Sequence, residues 1–276
     1  MHRLRRHFLI LLLIGLALSV AGDARPPVNG QALAAKSLPF ANGEQLVYLA
    51  EFKRSLLRGI DVAEFNFSAM ADESKGLPQL RLTGDVASKG LFLKLVGFRF
   101  HQHVDSIAGA HPITVMRTNK LYEQNGRSWK SEATFDHEAR KAFWTLHNQN
   151  EAQAPQPSAV EFSEPVQDVL TVIYFVRTLP LETGKTFDIP LSDGGKVWRF
   201  SVSVRERKRL DTVLGNVNTV RIEPTLFGAD GVVRRRGSLS IWITDDARRL
   251  PVKAQLKVEM GTFDIKLKKV SYVQTQ

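Results

Sequence analysis

SLSIWITDDARRLPVKAQLKVEMGTFDIKLK, residues 238–268, alternates apolar and polar side chains with a period of two through three successive runs. Leu239, Ile241 and Ile243 form the first. Ala254, Leu256, Val258 and Met260 alternate with Gln255, Lys257 and Glu259 in the second; after Gly261, Phe263, Ile265 and Leu267 alternate with Asp264, Lys266 and Lys268. Successive side chains of a strand point to opposite faces, so this period marks a sheet with one face in a core and the other in water. The polar segment Asp245–Arg249 and the break at Gly261 supply turns, and the three runs together predict an antiparallel meander.

The same rhythm continues toward the N-terminus. Leu46, Tyr48, Ala50 and Phe52 fall on one side of a strand, Phe65, Phe67 and Ala69 repeat the theme, and Trp198, Phe200, Val202 and Val204 alternate with Val197, Arg199, Ser201 and Ser203. Helical spacing is confined to Glu164–Leu179, where Val166, Val169, Leu170, Ile173 and Val176 recur at steps of three and four before Pro180, and more weakly to Ser88–Phe98. A Gln- and Pro-rich stretch near 148–158 reads as a loop or hinge between two halves of the sheet. The fold class that follows is all-β and mainly antiparallel: a strongly curved sheet or incomplete β-barrel with one or two short helices, forming a single β-rich domain over residues 43–276.

The first 21 residues have the three zones of a secretory signal peptide: Arg3, Arg5 and Arg6, then the apolar run Phe8–Val20, then small residues up to Ala21. That run has 13 residues, against the roughly 20 that a membrane-spanning helix needs. Cleavage after Ala21 is expected, with Ala24 as the next choice and an uncleaved anchor as the rival. Residues 22–42 read as a flexible lead-in. The chain has no Cys, which excludes disulfides, thiolate metal sites, a Cys nucleophile and acylation as a lipoprotein. The expected location is therefore the periplasm, with no transmembrane span after signal removal. The net charge is +10 over the full chain; without residues 1–21, 35 basic and 28 acidic residues leave +7. For an exported protein this excess favours anionic lipid head groups or envelope polymers over nucleic acid.

Enzyme motifs are missing: there is no Gly-x-Ser-x-Gly elbow, no His-Glu-x-x-His, no phosphate loop and no dinucleotide fingerprint. His101, His103 and Asp105 would share a strand face, a row that reads as solvated polar surface rather than a metal site. Asp245 and Asp246, being adjacent, point apart and read as turn formers. Asp168 and Arg177 lie nine residues apart on opposite sides of the expected helix, so each must tie it to a different neighbour. No cofactor is expected.

Short blocks in a fixed order resemble a family. Gly43-Glu44-Gln45-Leu46-Val47-Tyr48, then Asp168-Val169-Leu170-Thr171 with Tyr174 and Arg177, then Trp242, Asp245 and Arg249-Leu250-Pro251 look like the bacterial exported proteins grouped as domain of unknown function 3108, over about Phe40 to Val270. Thr171 stands where many members have Ser. The resemblance implies an exported Gram-negative envelope protein of mostly β fold, with Gly43, Glu44, Tyr48, Asp168, Tyr174, Arg177, Trp242, Asp245 and Pro251 as structural motif residues, and it brings no catalytic residues.

The expected function is non-enzymatic: a lipid or other hydrophobic ligand held in the concavity of the curved sheet by Phe65, Phe67, Trp198, Phe200 and Trp242. The alternative is an interaction protein that binds an anionic envelope polymer or a partner protein through Arg207, Lys208, Arg209, Arg234, Arg235 and Arg236.

Overall fold

The computed structural model describes residues 38–273 apart from 55–56, 73–77, 90–98, 151–153 and 227–235, and only the backbone of Leu57, Arg58 and Phe200. The expected signal peptide, most of the lead-in and all but the start of the weaker helix candidate at Ser88–Phe98 lie outside the described residues. Its first residue, Ser88, ends a strand.

Fourteen strands carry the fold. The first eight are β1 (Glu44–Arg54), β2 (Leu57–Asp72), β3 (Gln79–Ser88), β4 (Phe100–Ala110), β5 (Ile113–Gln124), β6 (Arg127–Asp136), β7 (Lys141–Asn148) and β8 (Gln156–Glu161). The one helix among the described residues, α1 (Thr171–Thr178), separates them from β9 (Thr186–Asp193), β10 (Lys196–Thr212), β11 (Gly215–Pro224), β12 (Gly237–Thr244), β13 (Pro251–Val258) and β14 (Gly261–Tyr272). All fourteen belong to one sheet, in the order β8-β7-β6-β5-β4-β3-β2-β1-β14-β13-β12-β11-β10-β9, and every ladder is antiparallel. The meander read from residues 238–268 is β12-β13-β14, with Ile241 opposite Ala254 and Ala254 opposite Ile265. Of the Gln- and Pro-rich stretch, residues from Gln156 onward pair with β7 as β8, with Trp144 opposite Ser158.

Register decides which side chains meet inside. Leu46, Tyr48 and Ala50 of β1 oppose Phe67, Phe65 and Ala63 of β2 and Val270, Leu267 and Ile265 of β14. These form one side of the sheet, and the chain rolls that side inward into a nearly closed barrel. Gly43 sits where the start of β1 meets the end of β14: its φ is 78°, and a Cβ there would lie 3.1 Å from the backbone N and C of Val273 and closer still to its carbonyl oxygen. Only glycine accepts both the left-handed backbone and this approach.

The two outer strands, β8 and β9, share no ladder. Their edges overlap, and side chains close the roll. The turn after β9 brings Gly195 against Ser158, Val197 packs on the cluster of Ala133, Phe135, Ala142 and Trp144, Lys120 of β5 pairs with Asp193 of β9, and Arg199 pairs with Glu164. Between them runs a short extended stave. Gln167 N donates to Pro190 O (2.9 Å) and Ser192 N donates to Gln167 O (2.8 Å), a single parallel bridge, while Gln167 Nε2 donates to Ile113 O (2.7 Å) and Val115 N to Val166 O. This use of Val166 and Gln167 explains why the helix is shorter than the expected Glu164–Leu179: its early apolar positions are spent on the stave.

The overlap makes a direct prediction. A Cβ at Gly195 would lie 3.2 Å from Ser158 Cβ, a few tenths of an ångström inside the about 3.5–4.5 Å across an ordinary disulfide, and Gly195 has a φ of 74°, so bridging the two positions needs a small backbone shift. In a chain with no other cysteine, the double variant Ser158→Cys/Gly195→Cys is expected to oxidise spontaneously and show no free thiol by Ellman titration of the unfolded protein. Two free thiols would mean that the edges are not apposed in solution.

Candidate functional site

α1 lies inside the roll. Leu170 and Tyr174 pack on the cluster of Leu80, Leu82, Val104 and Ala108, and Val169, Val176 and Leu179 pack on that of Ile189, Leu191, Val202 and Val204. Each such side chain, once removed from water, contributes roughly 1.5–3 kcal/mol. A helix filling one end of a barrel also removes that end from use as an open concavity.

Polar anchors fix each end of α1. Asp168 lies just before it: Oδ1 accepts from Leu170 N (2.9 Å) and Thr171 N (2.6 Å), and Thr171 Oγ1 accepts from Asp168 N (2.8 Å). This reciprocal box supplies partners for first-turn N–H groups that helical bonding leaves over. A Ser hydroxyl would make the same bond as Thr171. Oδ2 of Asp168 meanwhile accepts from Ser106 of β4 and Thr118 of β5, both at 2.5 Å and all three side chains buried. At the other end, Arg177 donates Nη1 to Glu44 Oε1 (2.6 Å) and Nη2 to Glu44 Oε2 (2.9 Å), and its Nη2 also reaches the carbonyls of Pro39 and Arg248. Both partners are at most 1% exposed. The guanidinium also sits 5.0 Å from the Phe40 ring centroid and 5.5 Å from that of Tyr174.

Tyr48 donates to Pro251 O (2.8 Å) across the same end of the roll. Its hydroxyl and that of Tyr174 are pushed above the ordinary tyrosine value, first by burial and then, with smaller opposing effects, by Glu44 and Arg177. Neither is an ionisable nucleophile. The motif residues Gly43, Glu44, Tyr48, Asp168, Tyr174, Arg177 and Pro251 thus gather around the seating of the helix. Asp245 pairs with Arg207 and Arg249, whereas Asp246 serves its own turn by accepting from Thr244 Oγ1 and Arg248 N, so the two carboxylates diverge.

The expected ligand residues divide. Phe65, Phe67 and Trp198 lie on the concave side and are half-buried. Phe67 is taken up at the level of the helix: a Cβ at Gly84 would touch both its ring and Leu170. Phe200 stands opposite Ile189 in the same phase as Trp198, but its side chain lies outside the described residues. Trp242 alternates with the inward Ile241 and Ile243 and stands opposite Arg221 and Lys253, with Lys253 Nζ 4.9 Å from the ring centroid, yet at the register irregularity between Trp242 and Ile243 its partly buried indole packs on the cluster of Leu46, Tyr48, Leu250, Val252 and Leu267.

The described basic residues do not converge either. Arg207 donates to Asp245 Oδ2 and Thr183 Oγ1, and with exposed Lys208 and Arg209 it stands where β10 nears its far end. Arg236, exposed, precedes Gly237, whose partner Val258 is at the other end of the sheet. Arg234 and Arg235 lie outside the described residues. On the outer face, His101 and His103 share Asp85 (3.2 and 2.9 Å), His101 also meets Glu123, and Asp105 pairs with Arg81. Among the described residues no group of three or more His, Asp or Glu is arranged to hold a metal ion.

Sequence reasoning missed the polar wall of the concave side. Thr118, Lys120 and Tyr122 alternate inward along β5, so Lys120 occupies an apolar phase; its side chain is 6% exposed and its partner Asp193 4%. Burial pushes the Asp193 carboxyl up, and Lys120 pulls it back only in part. Lys120 Nζ lies 5.5 Å from the centroid of Trp144, which is 3% exposed. The signal was a Lys in phase with inward residues; Asp193, next to Gly194-Gly195, reads merely as a turn.

Comparison with known proteins adds the following. The profile of the family described as protein of unknown function (DUF3108) matches residues 47–268. No curated protein matches. Among solved structures, a β-barrel-like protein of domain of unknown function DUF1849 from Brucella abortus is similar with a TM-score of 0.55 at 10% identity, over 84% of this chain and 98% of that one. A protein with a YmcC-like fold from Bacteroides fragilis follows at a TM-score of 0.36 and 8% identity, over 85% and 98% of the two chains. At such identities the first likeness speaks to the fold alone. No helix among the described residues is long and apolar enough to cross a membrane.

Proposed function

We propose that this chain, which belongs to the DUF3108 family of proteins of unknown function, is a non-enzymatic periplasmic protein that holds a lipid or other hydrophobic ligand in the part of the barrel that α1 does not fill. One observation carries this reading. Past the helix, Phe65, Val86, Tyr122, Leu239, Ile241 and Ile265 all point to the concave side by register, yet each remains partly open to solvent. Five of them pack on the buried cluster that includes Ala50, Ala63, Leu256 and Phe263, and an inward apolar lining that still keeps some surface open is what an acyl chain requires of its container. Leu146, in the same inward phase on β7, is 44% exposed. The signal-like N-terminus supports export to the periplasm.

Native mass spectrometry of the mature protein, purified gently from the periplasm and then extracted with solvent, tests the reading. A bound lipid of defined mass is expected. A bare protein mass that does not change on incubation with envelope lipids would overturn it. Binding by burial of acyl chain should also survive high salt, which screens surface charges more than about 10 Å apart at 0.1 M ionic strength.

A further inference from the structure

We infer that the inner wall of β5–β8, at the overlap of the sheet edges, is a head-group subsite for an amphiphile with an anionic, hydrogen-bond-accepting head, a carboxylate or a phosphate monoester. The inference rests on the ligand-binding reading above and names the chemistry of the ligand.

The concave side has two characters. Ala50, Ala63, Ala254, Ile241 and Ile265, contributed by β1, β2 and β12–β14, make an apolar wall. Facing it, Lys120 opposes Ser131 and Trp144 opposes Ser158, so an ammonium, an indole and two hydroxyls share one patch of adjacent strands. Three features mark this patch as built for a ligand. First, the indole Nε1 of Trp144 is buried with no hydrogen-bond partner among the described residues. An indole N–H can only donate, and a buried donor left unpaired destabilises the fold, so its retention calls for an acceptor that arrives from elsewhere. Second, the Lys120 ammonium has three donors and is set beside that indole, against Asp193, a carboxylate that burial already disfavours. An incoming anionic head can replace Asp193 as the partner of Lys120 while accepting from Trp144. Third, the patch opens onto the apolar part along its own strand: two residues beyond Lys120, Tyr122 faces the same side and stacks on Trp129 with centroids 5.4 Å apart. A chain attached to a head at Lys120 would run over these rings toward Phe65 and Val86.

The experiment compares three probes of one chain length, palmitate, hexadecyl phosphate and hexadecanol, by titration calorimetry with the mature protein and its Trp144→Phe variant. Phenylalanine keeps an aromatic ring under Lys120 and removes the N–H together with the rest of the indole's second ring. The wild type is expected to bind one or both anions about tenfold or more tighter than the alcohol, the scale of a hydrogen bond to a charged group. Which anion is preferred tells a carboxylate head from a phosphate. The variant should lose about that factor for the preferred anion and leave hexadecanol unchanged, which separates loss of the donor from loss of indole volume. Equal binding of all three probes by the wild type, or an unaltered anion affinity in a folded variant, would overturn the subsite while leaving the carrier reading in place. Failure of every probe to bind the wild type would count against both.

Discussion

Arg177→Met is expected to lose about 3–5 kcal/mol of folding stability, a large part of what a domain of this size has in hand. The reason is the asymmetry of buried ion pairs. With both members present, the desolvation of two charges roughly cancels their attraction, so the pair itself adds little. Remove the guanidinium and the Glu44 carboxylate, 1% exposed, is left charged with no counter-ion, while the carbonyls of Pro39 and Arg248 lose their donor. The urea midpoint should therefore fall by about 1–2 M at the slope typical of small domains. Glu44→Leu/Arg177→Met makes the test specific: removing both charges should recover most of the loss, leaving a deficit from the two carbonyls. A single variant within about 1 kcal/mol of wild type would show that the pair does not hold the helix.

Asp168→Ala should be comparably severe for a different physical reason. No charge is stranded; four donors are. The hydroxyls of Ser106 and Thr118 and the N–H groups of Leu170 and Thr171 all end on this one carboxylate. At about 1–3 kcal/mol for each buried group left unpaired, even partial relaxation leaves a loss of about 4 kcal/mol. Asp168→Asn retains one carbonyl oxygen, and with it some of these bonds, so it should fall between. Far-ultraviolet dichroism against urea orders the three proteins; an Asn variant no better than Ala would mean that the charge, not the geometry of acceptance, is what matters.

The sheet was legible because alternation is local: reading 239–267 requires only the order of residues, and each run became a strand with its apolar members inward. The expectation that Asp168 and Arg177 tie the helix to different neighbours holds, with β4 and β5 on one side and β1 on the other, although Asp168 precedes α1 rather than standing on its opposite side. What could not be read is tertiary. The helix pattern begins at Glu164, but nothing in the residues themselves says that Val166 and Gln167 will be claimed by β5 and β9 as a stave. Trp242 alternates with Ile241 and Ile243, and nothing in that pattern says that a register irregularity beside it lets the indole pack on the cluster of Leu46, Tyr48 and Leu267. Lys120 and Asp193 were invisible as a pair, since 73 residues separate them and only the overlap of β9 with the rest of the roll brings them together. The functional side remained harder than the fold throughout, because an inward side chain and a ligand-lining side chain have the same period.

The ladder between β1 and β14 has a temporal meaning. The first and last strands lie side by side near the centre of the sheet, joined to the end by Val273 N donating to Gly43 O at 2.9 Å, whereas the sheet's outer strands come from the middle of the chain. On the ribosome, the strand that completes the centre is the last to be made. Until then two half-sheets have no common seam, and the loop that must close is nearly the whole domain, the slowest kind of contact to form. The barrel is therefore locked only once β14, the last of its strands to be made, takes its place between β1 and β13.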